Sequence, residues 1–494
     1  MNSVFKIMIA TDNHLGYMEK DPIRKNDSFN TVEEVFIQTH KLNCDFLLLG
    51  GDLFHESSPS KDTLHRTLNM FAKYVIGQKP IQFETLTQLE RMNYLNQFIK
   101  ISLPVFIVHG NHDDPSAETG VSALNIMQSA NYLNYISGIY ESDVLKLNPI
   151  VLKKQDTKIA IYGIGNMKED KLNQMLIGGK IIFEKPENCR DYVFILVVHQ
   201  NRFKGSGQGP SAKNCIMDWA FPEFFDLIVW GHEHDCYTVP RTTENRGYVI
   251  YQPGSSVATS LTDGEAREKH MFLLEIRRVA YKVTPIPFKT TRKVLFKSLE
   301  LADLCQDTAQ AEIMVEKIFE ELIENSREDI EKGFFPLVRI KIEATGFEGF
   351  RGFLINSKIN QKTANKDVIC VWKRITRETN DKENIQISGT GPFDDIMKIF
   401  DDNLEDNQQI FKIYNTKQFM RSVVDFTSKG DLKSMEEYFN VKAEMALQKI
   451  VTSVGAFDEA VIKKKIDELD ISEDEPSYKR KTGEGRSEKK IKTL

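Results

Sequence analysis

From residue 6 to about 290, short apolar runs alternate with longer amphipathic stretches. The runs Lys6–Ala10, Asp45–Leu49, Val105–Val108, Lys158–Tyr162, Val193–Val198, Leu227–Trp230, Tyr248–Tyr251 and Met271–Leu274 are apolar at consecutive positions, which predicts strands buried on both faces. Helices are expected between several of them. Over Asp62 to Gly77, residues Leu64, Leu68, Phe71 and Val75 recur at spacings of four, three and four, one helical face closed by a glycine. The region therefore reads as a layered α/β domain.

Pro285 and Pro287 interrupt this rhythm, and residues 291–400 read as a smaller α+β domain. It opens with a helix over Ala309–Ser326 and continues with the alternating strand Leu337–Ile342. The acidic stretch Asp401–Gln409 marks a linker over 401–416. Residues 417–470 are helical in pattern, with Leu432, Met435, Phe439, Ala446 and Ile450 on one face interrupted by Lys442. The hydrophilic remainder, 471–494, reads as a disordered basic tail, because Lys479–Leu494 holds seven Lys/Arg against two Glu.

Composition narrows the class only a little. With 494 residues, 41% hydrophobic and 28% charged, the chain is long enough for two or three domains without staples. Its six scattered cysteines contain no C-x-x-C pair, which argues against a disulfide framework or a thiolate zinc site and for a reducing compartment. No uncharged apolar stretch reaches the ~18 residues of a membrane span. The first run meets Asp12 rather than a cleavage pattern, so a protein neither exported nor membrane-embedded is expected. The net charge of -6 means that any nucleic-acid binding must come from local basic surface and bound cations.

The chemistry lies where the apolar runs end. Five of the ten histidines sit in short motifs directly after such runs: Asp12-Asn13-His14, Gly51-Asp52, Gly110-Asn111-His112-Asp113, His199 and Gly231-His232-Glu233-His234. Asp, Asn and His are poor strand-core residues, and open α/β sheets hold ligands at the carboxyl ends of their strands. Ends converging on one spot describe a dinuclear metal site. Paired divalent cations about 3.5–4 Å apart suit phosphoryl chemistry, with a carboxylate as bridge, imidazoles as neutral donors and an Asn carbonyl as a hard oxygen. Asp12 with His14, and His232 with His234, stand at i and i+2 and can each grip one ion. Asp52, behind Gly50-Gly51, is the natural bridge. Manganese, two ions per subunit, fits this mix of oxygen and imidazole donors.

Other residues carry weaker signals. His55 lies three residues past Asp52 and reads as a support to the ligands rather than one of them. Arg202 and Lys204, just beyond His199, are expected to reach phosphates near the metals, as are Arg24 and Lys25. His40, His65 and His270 show no motif, and His109 reads as packed beneath the site.

Together these motifs resemble the calcineurin-like metallophosphoesterase superfamily. The longer stretches Ala10–Asp12, Leu48–Glu56, His109–Pro115, Val198–Arg202, Trp230–His234 and Gln252–Ser256 resemble, within it, the SbcD-type double-strand-break repair nucleases of the eukaryotic meiotic recombination eleven family. The likeness covers most of residues 5–290 and weakens beyond, although Pro336–Arg339 looks like the start of that family's capping domain. The resemblance implies a layered metallophosphoesterase β-sandwich flanked by helices (1–290), a smaller DNA-binding cap (291–400) and a C-terminal helical segment (417–470) that docks on a coiled-coil ABC ATPase. It implies that Asp12, His14, Asp52 and His234 hold one ion and Asp52, Asn111, His199 and His232 the other. His112 would then protonate the leaving 3′ oxygen or stabilise the scissile phosphate, with Asp113 orienting its ring. One departure is Asn13, where relatives often carry an apolar residue.

The implied activity is 3′ to 5′ exonuclease action on duplex ends and endonuclease cutting at hairpins, in the nucleus, by a homodimer. The Leu64, Leu68, Phe71 and Val75 face is a candidate for part of the dimer interface, with burial in its own domain as the alternative. A nibrin-type third subunit is usual in such complexes. Two other readings keep the fold: a phosphatase, against which the Asp52–Glu56 and His112-Asp113 stretches speak, and a mainly structural scaffold of the repair complex. The basic tail suits nuclear import or a loose DNA contact.

Overall fold

The structure is a computed structural model and describes residues 3–372 apart from 88–91, 116–119, 137, 142, 187–188, 204–213, 244–245 and 348. Its architecture follows from the double-sided burial expected of the apolar runs. One sheet has six strands in the order Ala280–Pro287, His270–Arg277, Phe5–Ala10, Phe46–Leu49, Val105–Ile107 and Asn134–Tyr135. Phe5–Ala10 and the three strands after it run parallel, and His270–Arg277 joins antiparallel at the other side. The second sheet has seven, in the order Tyr237–Thr242, Val249–Gln252, Leu227–Gly231, Tyr192–His199, Thr157–Ile164, Ile150–Lys154 and Glu84–Thr85. Its centre, from Val249–Gln252 to Thr157–Ile164, is parallel.

Alternate residues of each strand serve different cores. Phe5, Ile7 and Ile9 turn inward and pack between the sheets with Ile159, Ile161, Val193, Ile195 and Val197, while Met8 and Ala10 face a second core under the helices. Those helices are Asp27–Lys41, Lys61–Val75 and Ala123–Ser129, contributing among others Phe36, Phe71, Val75, Leu124 and Met127. Beyond the second sheet, Leu172 and Met175 of helix Glu169–Ile177 close a third core around Tyr162 and Trp230. A continuous apolar run is thus the signature of a strand with hydrophobic layers on both sides. Each fully buried large side chain contributes roughly 1.5–3 kcal/mol by removal from water.

Two expectations change here, and a third gains detail. Pro285 and Pro287 do not end the domain's pattern: they lie in strand Ala280–Pro287, opposite Phe272 and His270. That strand is the edge of its sheet, where a residue without an N–H is tolerated. The Leu64, Leu68, Phe71 and Val75 face is turned into its own domain. Phe71 and Val75 are fully buried and Leu64 and Leu68 are half-buried on the same core, so this face packs mainly within its own domain. Helix Asp27–Lys41 and strand Tyr237–Thr242, which the apolar rhythm did not announce, complete the layers.

A three-stranded parallel sheet follows, Val294–Glu300, Leu337–Glu343 and Ile369–Trp372. Helices Thr308–Ile323 and Gly352–Ile359 cover it, with Val315, Phe319, Val338, Ile340 and Ile342 at the centre of a separate core. The helix expected over Ala309–Ser326 appears as Thr308–Ile323 plus a 3-10 turn through Ser326. This sheet is joined to the larger layers by a buried pair, Arg292 Nε to Asp27 Oδ2 at 2.8 Å.

The linker 401–416, the helical segment 417–470 and the basic tail 471–494 lie outside the described residues. Among the described residues, no helix is long and apolar enough to cross a membrane. All six cysteines are free.

Candidate metal centre

Parallel strands put their carboxyl ends on one rim, and the predicted residues follow those ends in both sheets. Asp12 and His14 come after Phe5–Ala10, Asp52 after Phe46–Leu49, Asn111 after Val105–Ile107, and His232 and His234 after Leu227–Gly231, while His199 ends its own strand. The sheets are tied together there. His199 Nδ1 donates to the Gly50 carbonyl at 2.8 Å, and the His232 amide donates to the Asp12 carboxylate at 3.1 and 3.2 Å.

The backbone at the rim is strained. Asp12 (φ 51°), His14 (48°), Asp52 (49°) and His232 (78°) are all left-handed, so four of the seven predicted ligands adopt a conformation costing about 1–3 kcal/mol each, of the kind that gathers at functional sites. Gly51, at φ 103°, has no room for a side chain: a Cβ would stand 2.4 Å from His199 Nδ1. At Gly110 a Cβ would stand 1.9 Å from Asp52 Oδ1. Close backbone approach explains both glycines.

Among the described residues three sets of donor atoms result, Asp12, His14 and His234 in one, Asp52, His199 and His232 in the second, and His14, His55 and His112 in the third, each with its atoms within 4.8 Å of one another. In the first, His14 Nε2 and His234 Nε2 are 3.2 Å apart, and Asp12 Oδ1 is 3.7 Å from the latter. His234 Nδ1 faces Glu265 Oε1 at 2.9 Å, so it carries the proton and Nε2 carries the lone pair. In the second set, His199 Nε2 is 3.3 Å from Asp52 Oδ2. His232 Nε2 is 2.9 Å from Asn201 Oδ1, leaving its Nδ1 lone pair 2.9 Å from Asn111 Oδ1. Asp52 Oδ2 is also 3.9 Å from His14 Nε2, which places it between these two sets.

This arrangement fits cations. Lone pairs facing one another repel unless a positive centre stands between them. Donors at right angles on an ion with bonds of about 2.1 Å are themselves about 3 Å apart, which these pairs match. His199 Nε2, the atom turned toward Asp52, is buried and has no hydrogen-bond partner. The residues are placed so that they could hold divalent cations.

Electrostatics agree. Burial holds the His14 pKa well below its ordinary value, and burial with the nearby His199 lowers that of His232, so both stay neutral donors. At His199 burial acts downward too, but Asp52 and Asp12 outweigh it and raise the pKa to about 9, a measure of the negative field at that point. Asp52 is pulled well below the carboxylate range by His199 and His14 in spite of its burial.

Around the ligands several expectations are corrected. Asp113 does not orient the His112 ring: its carboxylate accepts from the amides of Leu53 and Phe54 at 2.8 and 3.0 Å and thereby secures the loop that carries Asp52. The ring is held instead by Nδ1 on the His55 carbonyl at 2.5 Å, and the His55 ring stacks on it with centroids 5.2 Å apart. Arg202 does not reach toward a phosphate. It is buried, bound through two nitrogens to Asp218 and through a third to Gln252, since a guanidinium inside the protein must be neutralised there. Arg24 is likewise buried beside Asp27 with Nη2 on the Ala258 carbonyl. Lys204 lies outside the described residues. His109 sits below the site between the Tyr135 hydroxyl and the Asn166 carbonyl, both ring nitrogens in use. Glu265 and Asn201, which contact ligand histidines, were missed. Asn201 stands two residues past the end of strand Tyr192–His199, inside the Val198–Arg202 stretch, and could have been read from there, whereas Glu265 lies in a 3-10 turn away from any strand end, so nothing local distinguishes it.

Comparison with known proteins gives a consistent picture. A family model described as calcineurin-like phosphoesterase matches residues 5–236. The double-strand break repair protein MRE11 of Oryza sativa subsp. indica is 33% identical over 510 residues, covering 95% of this chain and 69% of that one. The protein of the same name from Arabidopsis thaliana is 36% identical, covering 78% of this chain and 56% of its own length. That of Homo sapiens is 33% identical, with 90% and 66% covered. The matched region thus spans between about half and just over two thirds of these relatives.

Proposed function

The chain belongs to the MRE11 family of double-strand break repair proteins, among the calcineurin-like phosphoesterases, and on that premise we propose that it is a manganese-dependent DNA nuclease hydrolysing phosphodiester bonds at double-strand breaks. The observation that carries this is the facing of donor pairs around two points linked by Asp52. Asp12, His14, Asp52 and His234 would hold one ion, and Asp52, Asn111, His199 and His232 the other. Bound there, paired cations supply a water activated at neutral pH and charge compensation for phosphoryl oxygens.

The chain's own residues do the rest. His112 spends Nδ1 on the His55 carbonyl, which leaves Nε2 to face the substrate. As the imidazolium, it hands a proton to the leaving 3′ oxygen and is restored from solvent. His55, stacked on that ring, keeps its plane fixed. The two-sheet rim holds all these groups rigidly, so little reorganisation accompanies the reaction.

The family reading extends to 3′ to 5′ exonuclease and hairpin endonuclease action, to DNA held by a cap over 291–400, and to a nuclear homodimer. It includes a coiled-coil ABC ATPase bound through 417–470 and a nibrin-type third subunit. The decisive test incubates the purified full chain with manganese and either end-labelled duplex DNA or an aryl monophosphate. Nucleotide release that stops on chelation is expected; hydrolysis of the monoester alone would overturn the proposal.

A further inference from the structure

Behind His234 stands a charged pair that no motif announced. Glu265 and Lys269 are 2% and 4% exposed, although burying such a pair costs several kcal/mol per ion before its attraction is counted. Every atom of it is used. Glu265 Oε1 accepts from His234 Nδ1 at 2.9 Å and from the amides of Thr259 and Ser260 at 3.2 and 3.3 Å. Glu265 Oε2 accepts from Ser255 Oγ at 3.2 Å and from Lys269 Nζ. The ammonium also donates to the His234 carbonyl at 3.1 Å and to Ser255 Oγ at 2.8 Å. His234 is therefore gripped at ring and backbone by one dyad.

Resting on the two-ion reading above, we infer that Glu265, supported by Lys269, is a positioning residue that locks His234 in the tautomer and ring plane able to bind the first ion. The argument is one of donors and acceptors. An ionised carboxylate can only accept, so it dictates a proton on Nδ1 and a lone pair on Nε2, the atom facing His14. The Thr259 hydroxyl, 2.9 Å from the same Nδ1, imposes no such choice, because it donates as readily as it accepts. With Glu265 replaced by glutamine, its NH2 must face either the Thr259 and Ser260 amides or the Lys269 ammonium, all of them donors, so the firm acceptor on Nδ1 is lost. The proton is then free to sit on Nε2, which takes the ring out of the ligand set.

The effect should be one-sided. The dyad's bonds run to His234, Thr259, Ser260 and Ser255, and the neighbour of the last, Ser256, donates its amide to the Asp12 carbonyl at 3.2 Å. Among the described residues, none of the hydrogen bonds of its two side chains goes to Asp52, Asn111, His199 or His232.

The test is a manganese titration of the metal-free full chain followed by electron paramagnetic resonance, in the wild type and in Glu265→Gln. Paired ions in the wild type give an exchange-coupled signal. In Glu265→Gln one ion should bind as before and the other about 10- to 100-fold more weakly, the usual cost of losing such a partner, so the spectrum at two equivalents shows an isolated ion. Because Glu265→Gln leaves the Lys269 ammonium buried alone, Glu265→Leu with Lys269→Met, which removes both charges and offers no acceptor, is measured beside it, its fold checked by thermal melting. An unchanged coupled spectrum in the folded variants, or equal weakening of both ions, would overturn the inference. A wild type that takes up no coupled pair would overturn the two-ion reading itself.

Discussion

The backbone amide of His112 donates to Oδ1 of Asp52 at 2.9 Å, which ties the proposed proton donor to the carboxylate proposed to be shared by two ions. The other oxygen of Asp52 stays turned toward His199 and His14. Substituting the His112 side chain leaves this bond in place, which separates its chemistry from metal retention.

His112→Asn is accordingly expected to keep its metal content and lose about 10²- to 10⁴-fold in nuclease rate, the usual worth of a positioned acid. Elemental analysis beside a turnover assay checks this. A parallel fall in bound metal would place His112 among the ligands instead.

Gly51→Ala should damage both stability and metal binding. Its φ of 103° disfavours a side chain, and the new Cβ would press on His199 Nδ1, which holds the ring against Gly50. A lowered melting temperature and weakened uptake of the second ion are expected by calorimetry. Normal values for both would show that the rim is more pliable than it looks.

Phe71→Ala tests the packing of its helix against its own domain. Phe71 is fully buried with its ring edge-on to Phe36 at 5.1 Å, so the change should cost about 3–5 kcal/mol in urea unfolding. Sedimentation should show the same association state as the wild type. Dissociation without loss of stability would return that face to the interface.

The metal-free protein should lose stability in acid through Glu265. Burial alone would raise its pKa, but the hydrogen bond from His234 and the charge of Lys269 prevail and bring it from 4.5 down to about 2. A carboxyl depressed on folding stabilises fully above its unfolded value, and that contribution is lost as pH falls from about 4.5 toward 2. Urea midpoints of Glu265→Gln should therefore depend less on pH across that window than those of the wild type. Parallel curves would refute this assignment.

Much of this molecule was legible along the chain. The eight apolar runs all became strands, because residues such as Ile7 and Met8 face different cores and must both be apolar. Polar residues placed straight after those runs pointed to the rim, since a parallel strand leads its next residues to the same edge as its neighbours. Edge position was not legible, and so Pro285 and Pro287 read as a break when they lie in an outermost strand.

The sequence by itself determined which side chains can bind a cation and where along the chain they leave the sheets, because strand periodicity and the avoidance of buried Asp, Asn and His are local rules. Only the tertiary structure decided their partners. It turned Arg202 inward to Asp218, gave the His112 ring to the His55 carbonyl, placed Asp113 under the Asp52 loop and set Glu265 behind His234. The physical reason is that a hydrogen bond depends on side-chain direction across contacts tens to hundreds of residues apart, and that direction is settled only when the two sheets and their helices pack.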